Sequence, residues 1–146
     1  MAQEPTQNFK NHAKVVPPYH FVAGPILILN FVWTCIVLIR IHTFGSLVSF
    51  LVSIALIIML LYGRAFSLKV QDRVIRLEMQ LRLQRLLPAD LQPSISSLTV
   101  GQLVALRFAS DAELPGLVRK VLGDKIEDRK AIKQMIQNWQ PDNLRA

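Results

Sequence analysis

Residues 21–62 read "FVAGPILILNFVWTCIVLIRIHTFGSLVSFLVSIALIIMLLY". Two runs free of charge, 21–39 and 44–62, are separated only by Arg40, Ile41, His42 and Thr43. At 1.5 Å rise per residue a helix of either length reaches about 28 Å, close to the hydrocarbon thickness of a bilayer. A soluble bundle would have to cover both runs on every side, and the rest of the chain is mostly polar or amphipathic. Four connecting residues force an antiparallel hairpin. A cleaved signal peptide does not fit the first run, because a polar stretch precedes it, Asn30 interrupts it, and the second run follows at once. The pattern predicts an all-α protein. A transmembrane helical hairpin (21–39 and 44–62) follows an N-terminal cytoplasmic tail (1–20). A long basic amphipathic juxtamembrane helix (63–87), a linker (88–98) and a small three-helix cytoplasmic tail (99–146) complete it.

Composition agrees with that reading. Of 146 residues 51% are hydrophobic, yet the net charge is +7. A chain both apolar and basic suits a membrane with anionic lipid headgroups better than nucleic acid, whose binders seldom carry long apolar runs. Cys35 is the single cysteine, so one chain can build neither a disulfide framework nor a CxxC motif. Basic residues near the span ends set orientation. Lys10 and Lys14 precede the first run, and Arg64, Lys69, Arg73, Arg76 and Arg82 follow the second, while the turn offers only Arg40. Both termini are therefore expected in the cytoplasm.

Lipid supplies little hydrophobic drive between helices, so small residues and interhelical hydrogen bonds must hold the hairpin. Gly45, Ser49 and Ser53 recur at four-residue steps in the second run; Asn30 and Thr34 do so in the first. Counting outward from the turn places Thr34 opposite Ser49 and Asn30 opposite Ser53. An unpaired amide in hydrocarbon costs several kcal/mol, so Asn30 is expected to find a partner. Pro17-Pro18 reads as a stiff elbow ahead of the first helix. His12 and His20 stand beside it with nothing to complete a metal site.

The segment after the second run is both basic and aliphatic. From Arg64 to Leu87 it holds six cations (Arg64, Lys69, Arg73, Arg76, Arg82, Arg85) against Asp72 and Glu78. Val70, Val74, Leu77 and Leu81 form a 4-3-4 seam, the spacing of a coiled-coil stripe and a candidate surface for self-association. Leu68, Ile75, Leu83, Leu86 and Leu87 widen the apolar surface enough to receive the C-terminal part of the chain. Asp72 with Arg76 and Glu78 with Arg82 are spaced as i,i+4 ion pairs. The cations suit an anionic membrane surface.

Beyond a Pro- and Ser-rich break, three start signals predict helices over 100–109, 111–122 and 125–139: Thr99 with Gln102, Ser110 with Glu113, and Asp124 with Glu127. Pro115 allows the middle start to slip toward Leu114. Their expected buried set is Leu103, Leu106, Leu114, Leu117, Val118, Val121, Ile132, Ile136 and Trp139. Lys125, Arg129, Lys130 and Lys133 are interleaved with Glu127 and Asp128, a solvated helix face rather than a nucleic-acid surface.

Taken together, "QNFKNHAKVVPPYHFV", "LKVQDRVIRLEMQLRLQRLLP", "LTVGQLVALRFASDAELPGLVRKVL" and "DRKAIKQMIQNWQPDNLR" resemble a family of small bacterial two-span membrane proteins classed as a domain of unknown function. The resemblance implies a multi-pass protein of the bacterial inner membrane and no activity, cofactor or catalytic residue. Three scattered histidines, one cysteine within a span and no acid in either span give no catalytic set, so an enzyme, a cofactor and a metal are not expected. The expected role is a membrane-anchored interaction or scaffold protein that forms a homo-oligomer or binds another membrane protein. A subunit of an oligomeric transporter or channel is the alternative.

Overall fold

The turn between the two apolar runs is built by capping chemistry. In a computed structural model, which describes residues 7–9 and 15–142, the first helix α1 (Gly24–Ile41) ends at His42, whose φ of 50° is left-handed and whose N–H bonds the Leu38 carbonyl. The second helix α2 (Phe44–Leu86) then begins. The Ser46 N–H donates to Thr43 Oγ1 at 3.2 Å and the Thr43 N–H to Ser46 Oγ at 3.0 Å, a reciprocal cap with serine in the usual Glu position. Lys10, His12 and Lys14 lie outside the described residues.

The described residues fall into two units, one within 14–68 and the other formed by 7–9 with 69–142; α2 contributes to both. In the first unit the helical path starts earlier than the apolar run. A π-helical stretch, Pro18–Ala23, leads directly into α1. The proline elbow expected ahead of the helix is thus its first turn, where a missing N–H leaves no bond unmade. Pro25 falls within that continuous path. The wider turn, in which Gly24 N–H reaches back to the Tyr19 carbonyl, precedes it and accommodates the helix to a proline. Tyr19 Oη donates to the Leu60 carbonyl, and Arg64 stands 5.9 Å from the Tyr19 ring centroid, so α1 and α2 are antiparallel neighbours. Both helices are long and apolar enough to cross a membrane. Only 6% and 11% of their most apolar stretches is buried, unlike core helices of a soluble bundle.

The second unit packs a small module against the distal part of α2. Pro88 stops that helix, and the Gln92 amide donates to the Gln84 and Leu87 carbonyls left without helical partners, each at 2.8 Å. The expected linker carries a 3₁₀ turn, Gln92–Ser97, whose Ile95 enters the core beside Leu98. Then follow α3 (Val100–Leu106), α4 (Leu114–Gly123) and α5 (Arg129–Met135). The Thr99–Gln102 capping box is formed, and the buried Gln102 also donates to the Ile126 carbonyl at 2.9 Å, tying α3 to the approach of α5.

The other two starts differ from expectation. At Ser110 only half a box exists: Glu113 accepts the Ser110 N–H, then turns to the N–H groups of Gln137 and Asn138. Helix α4 waits for Leu114, because Pro115 is tolerated only in a first turn. The Asp124 side chain starts no helix; instead its N–H closes the end of α4 on the Lys120 carbonyl at 2.9 Å. Lys125 adopts a φ of 50°, and Asp128 caps α5 through the N–H groups of Lys130 and Ala131.

Leu83, Leu103, Leu106, Leu114, Val118, Val121 and Ile132 are fully buried in this unit, as is Phe108. Leu117, Ile136 and Trp139 are half-buried. Trp139 stacks on Phe108 at 4.5 Å, beside an isolated antiparallel bridge between Ala109 and Trp139. Gln7 exchanges two hydrogen bonds with the Asp142 backbone, joining the two ends of the described chain.

Candidate functional site

Among the described residues no group of three or more His, Cys, Asp and Glu side chains is placed to hold a metal ion. Among the described residues of the second unit, cavities of modest size occur. One of about 150 Å³ is lined by Glu78, Met79, Arg82, Arg107 and Asp142; another, about 400 Å³, includes Glu113, Lys120 and Gln137. Neither brings a nucleophile to a base. Several of their charged groups are committed to the fold: Arg107 lies 3.1 Å from Asp142, and Glu113 caps two backbone segments. What the chain presents instead is surface.

The polar residues of the spans are arranged differently from the symmetric expectation. Thr34 Oγ1 donates to Ser53 Oγ at 3.1 Å, and Ser53 donates to the Phe50 carbonyl at 2.7 Å. Both side chains are buried, at 7% and 1% exposure. Thr34 thus meets Ser53 and not Ser49, one turn further along α2. Gly45 and Ser49 are exposed, with Ser49 Oγ bonded to the Gly45 carbonyl of its own helix. The cause is angular. Four-residue steps drift by 40° each, so Gly45 and Ser53 point 80° apart, whereas the buried Ser46, seven residues before Ser53, stays within 20° of it. Phe50 continues that covered face and meets Phe31 at 5.7 Å.

Asn30 is left over. It stands midway along the helical path Pro18–Ile41, is exposed, and makes no side-chain hydrogen bond to any described residue. Its expected partner, Ser53, is taken by Thr34.

The distal part of α2 carries two apolar stripes. Ile75, Met79, Leu83 and Leu87 are buried under the C-terminal module. Val70, Val74, Leu77 and Leu81 remain 62%, 47%, 63% and 64% exposed. One apolar face of this segment is thus buried within its own unit and the other is open.

Its cations also divide. Arg82 faces the module. Its Nε donates to Asp111 at 2.7 Å, Nη1 to the Arg107 carbonyl at 3.1 Å, and Nη2 to the Ala109 carbonyl at 2.7 Å and Gln140 at 3.1 Å. It is not a headgroup-facing residue: the chain leaving α3 has orphan carbonyls, and a guanidinium is the side chain whose several donors can satisfy them together. The expected Glu78–Arg82 pair is consequently not formed, and neither is Asp72–Arg76. Lys69, Arg73, Arg76 and Arg85 are exposed, and Arg64 is half-buried against Tyr19.

The chain belongs to DUF6526, a family of unknown function, which it matches over residues 1–146. No curated protein and no solved structure matches it.

Proposed function

Because family membership carries no activity, we propose a role from the geometry: a bacterial inner-membrane protein that crosses the lipid twice, holds a small helical module at the cytoplasmic face and self-associates. The observation that carries this reading is Asn30. A carboxamide facing hydrocarbon without a partner costs several kcal/mol. The hairpin supplies no partner, so another polypeptide must. A second copy is chemically sufficient, since an amide both donates and accepts and two of them are self-complementary. Exposed Gly45 and Ser49 let a neighbouring backbone come close. The exposed Lys69, Arg73, Arg76 and Arg85 add attraction to anionic lipid, about 1 kcal/mol for each cation near the surface.

A path for a substrate would need the polar groups of the spans to line it, and Thr34 and Ser53 are consumed by each other.

The test is co-isolation of two differently tagged full-length copies from one membrane. The wild type is expected to bring its partner along. Asn30→Leu is expected to cut the shared fraction about tenfold, the size of an interhelical amide bond worth roughly 1–2 kcal/mol in lipid. Absence of co-isolation in the wild type contradicts the proposal.

A further inference from the structure

We propose that the distal part of α2 pairs with the same segment of a second copy as a parallel, in-register, two-stranded coiled coil. Val70, Val74, Leu77 and Leu81 form its seam, and Arg73 of each copy closes it against Glu78 of the other. This rests on the self-association proposed above and names the surface and its register.

Among the described residues none covers the seam. At 100° per residue its direction lies about 180° from that of Ile75, Met79 and Leu83, which the module buries. Its 4-3-4 spacing reads d-a-d-a in a heptad. At its centre Val74 falls at a and Leu77 at d, the combination that favours two strands, while Val70 at d and Leu81 at a flank it in the reverse order.

The flanks choose the occupant. Arg73 falls at g and Glu78 at e. In a parallel in-register pair, g of one helix meets e of the next heptad on its partner, five residues on, so Arg73 faces Glu78 twice by symmetry. Both side chains are exposed and neither has an ion pair among the described residues. Arg82, which sequence spacing offers to Glu78, is held by the module. The remaining e and g neighbours, Gln71, Gln80 and Arg85, set no like charges against each other. A lipid surface would meet Arg73 and Arg85 as well as Glu78 and would leave that one acid against anionic headgroups, whereas the paired register gives Glu78 a cation.

The match of Arg73 with Glu78 is one that only the parallel direction provides, because an antiparallel pair sets g against g and e against e. So short a seam is marginal between free helices, but two copies joined through their spans meet at high effective concentration.

Disulfide scanning of the full chain in membranes, in a Cys35→Ala background, tests the register. Val70→Cys, Val74→Cys, Leu77→Cys and Leu81→Cys are expected to give at least fivefold more dimer on mild oxidation than Arg76→Cys, which points off the seam. Arg73→Glu and Glu78→Arg, each added to Leu77→Cys, are expected to lower its yield several-fold, and the two together to restore it. Seam yields no higher than that of Arg76→Cys, in membranes where tagged copies still co-isolate, overturn the coiled coil and leave self-association standing. Loss of co-isolation as well removes both. Quenching of a fluorophore on Leu77→Cys by brominated lipid, with no dimer formed, assigns the face to the membrane surface and also overturns the pairing.

Discussion

The Arg82 guanidinium donates to one carboxylate, two backbone carbonyls and one side-chain amide, with its side chain 16% exposed. Removing it strands the Arg107 and Ala109 carbonyls. Arg82→Ala is therefore expected to destabilise the C-terminal module by about 3 kcal/mol, the lower part of what several bonds to a charged donor imply. Arg82→Lys recovers little of this, because an ammonium cannot serve several acceptors in one plane. Amide exchange over residues 107–111 in the full chain reads the loss directly; unchanged protection in Arg82→Ala contradicts the role. Nothing in the spacing of cations distinguishes Arg82 from Arg76. The distinction arises only when α3 ends at Leu106 and leaves carbonyls facing α2. Asn30 is conspicuous as an amide in an apolar run, but Ser53, the partner that the spacing offers it, is bonded to Thr34. Counting outward from the turn ignores that the helices are staggered, and the seven-residue face through Ser46 and Ser53 prevails over the four-residue one.

Among elements, α2 shows what periodicity can and cannot convey. Length and lack of charge mark the spans, and the exposed 4-3-4 stripe stands out in the sequence. The second stripe was only partly visible: Ile75, Leu83 and Leu87 read as a widening of one surface, and Met79 was not singled out. Two opposed faces on one helix look like a single diffuse apolar surface until the module is placed. The division makes a prediction. Leu83→Ala is expected to cost about 2–5 kcal/mol in unfolding of the module, as a fully buried leucine does, whereas Leu77→Ala on the open face changes it by less than about 0.5 kcal/mol. Caps were legible where one residue served one helix, as at Thr99. They failed where a carboxylate had competing duties: Glu113 braces the end of the chain as well as Ser110, and Asp128 displaces Asp124 as the start of α5. Thr99→Ala is expected to lower module stability by about 1 kcal/mol and Asp124→Ala to leave it unchanged. Thermal or denaturant unfolding followed for the four variants checks both pairs.

Across the chain, two apolar helices with little buried surface and the cations on the distal part of α2 support the proposed division between lipid and cytoplasm. With Cys35→Ala, a cysteine at His42 in the turn is expected to react with a membrane-impermeant maleimide applied outside intact cells. One at Asp124 is expected to react only after lysis. The reverse pattern contradicts the proposed orientation. The proposed self-association rests on two features that the described residues leave open: the exposed amide of Asn30 and the exposed seam on the distal part of α2. Both were marked in the sequence as candidates. That both stay open needed the structure, because only there is Ser53 seen to be taken by Thr34 and the module seen to lie on the far side of α2. The mass of the particle released from membranes in mild detergent, read by native mass spectrometry, decides whether copies meet. The account predicts about twice the 16.6 kDa chain for the wild type. A single chain at every protein concentration would contradict it.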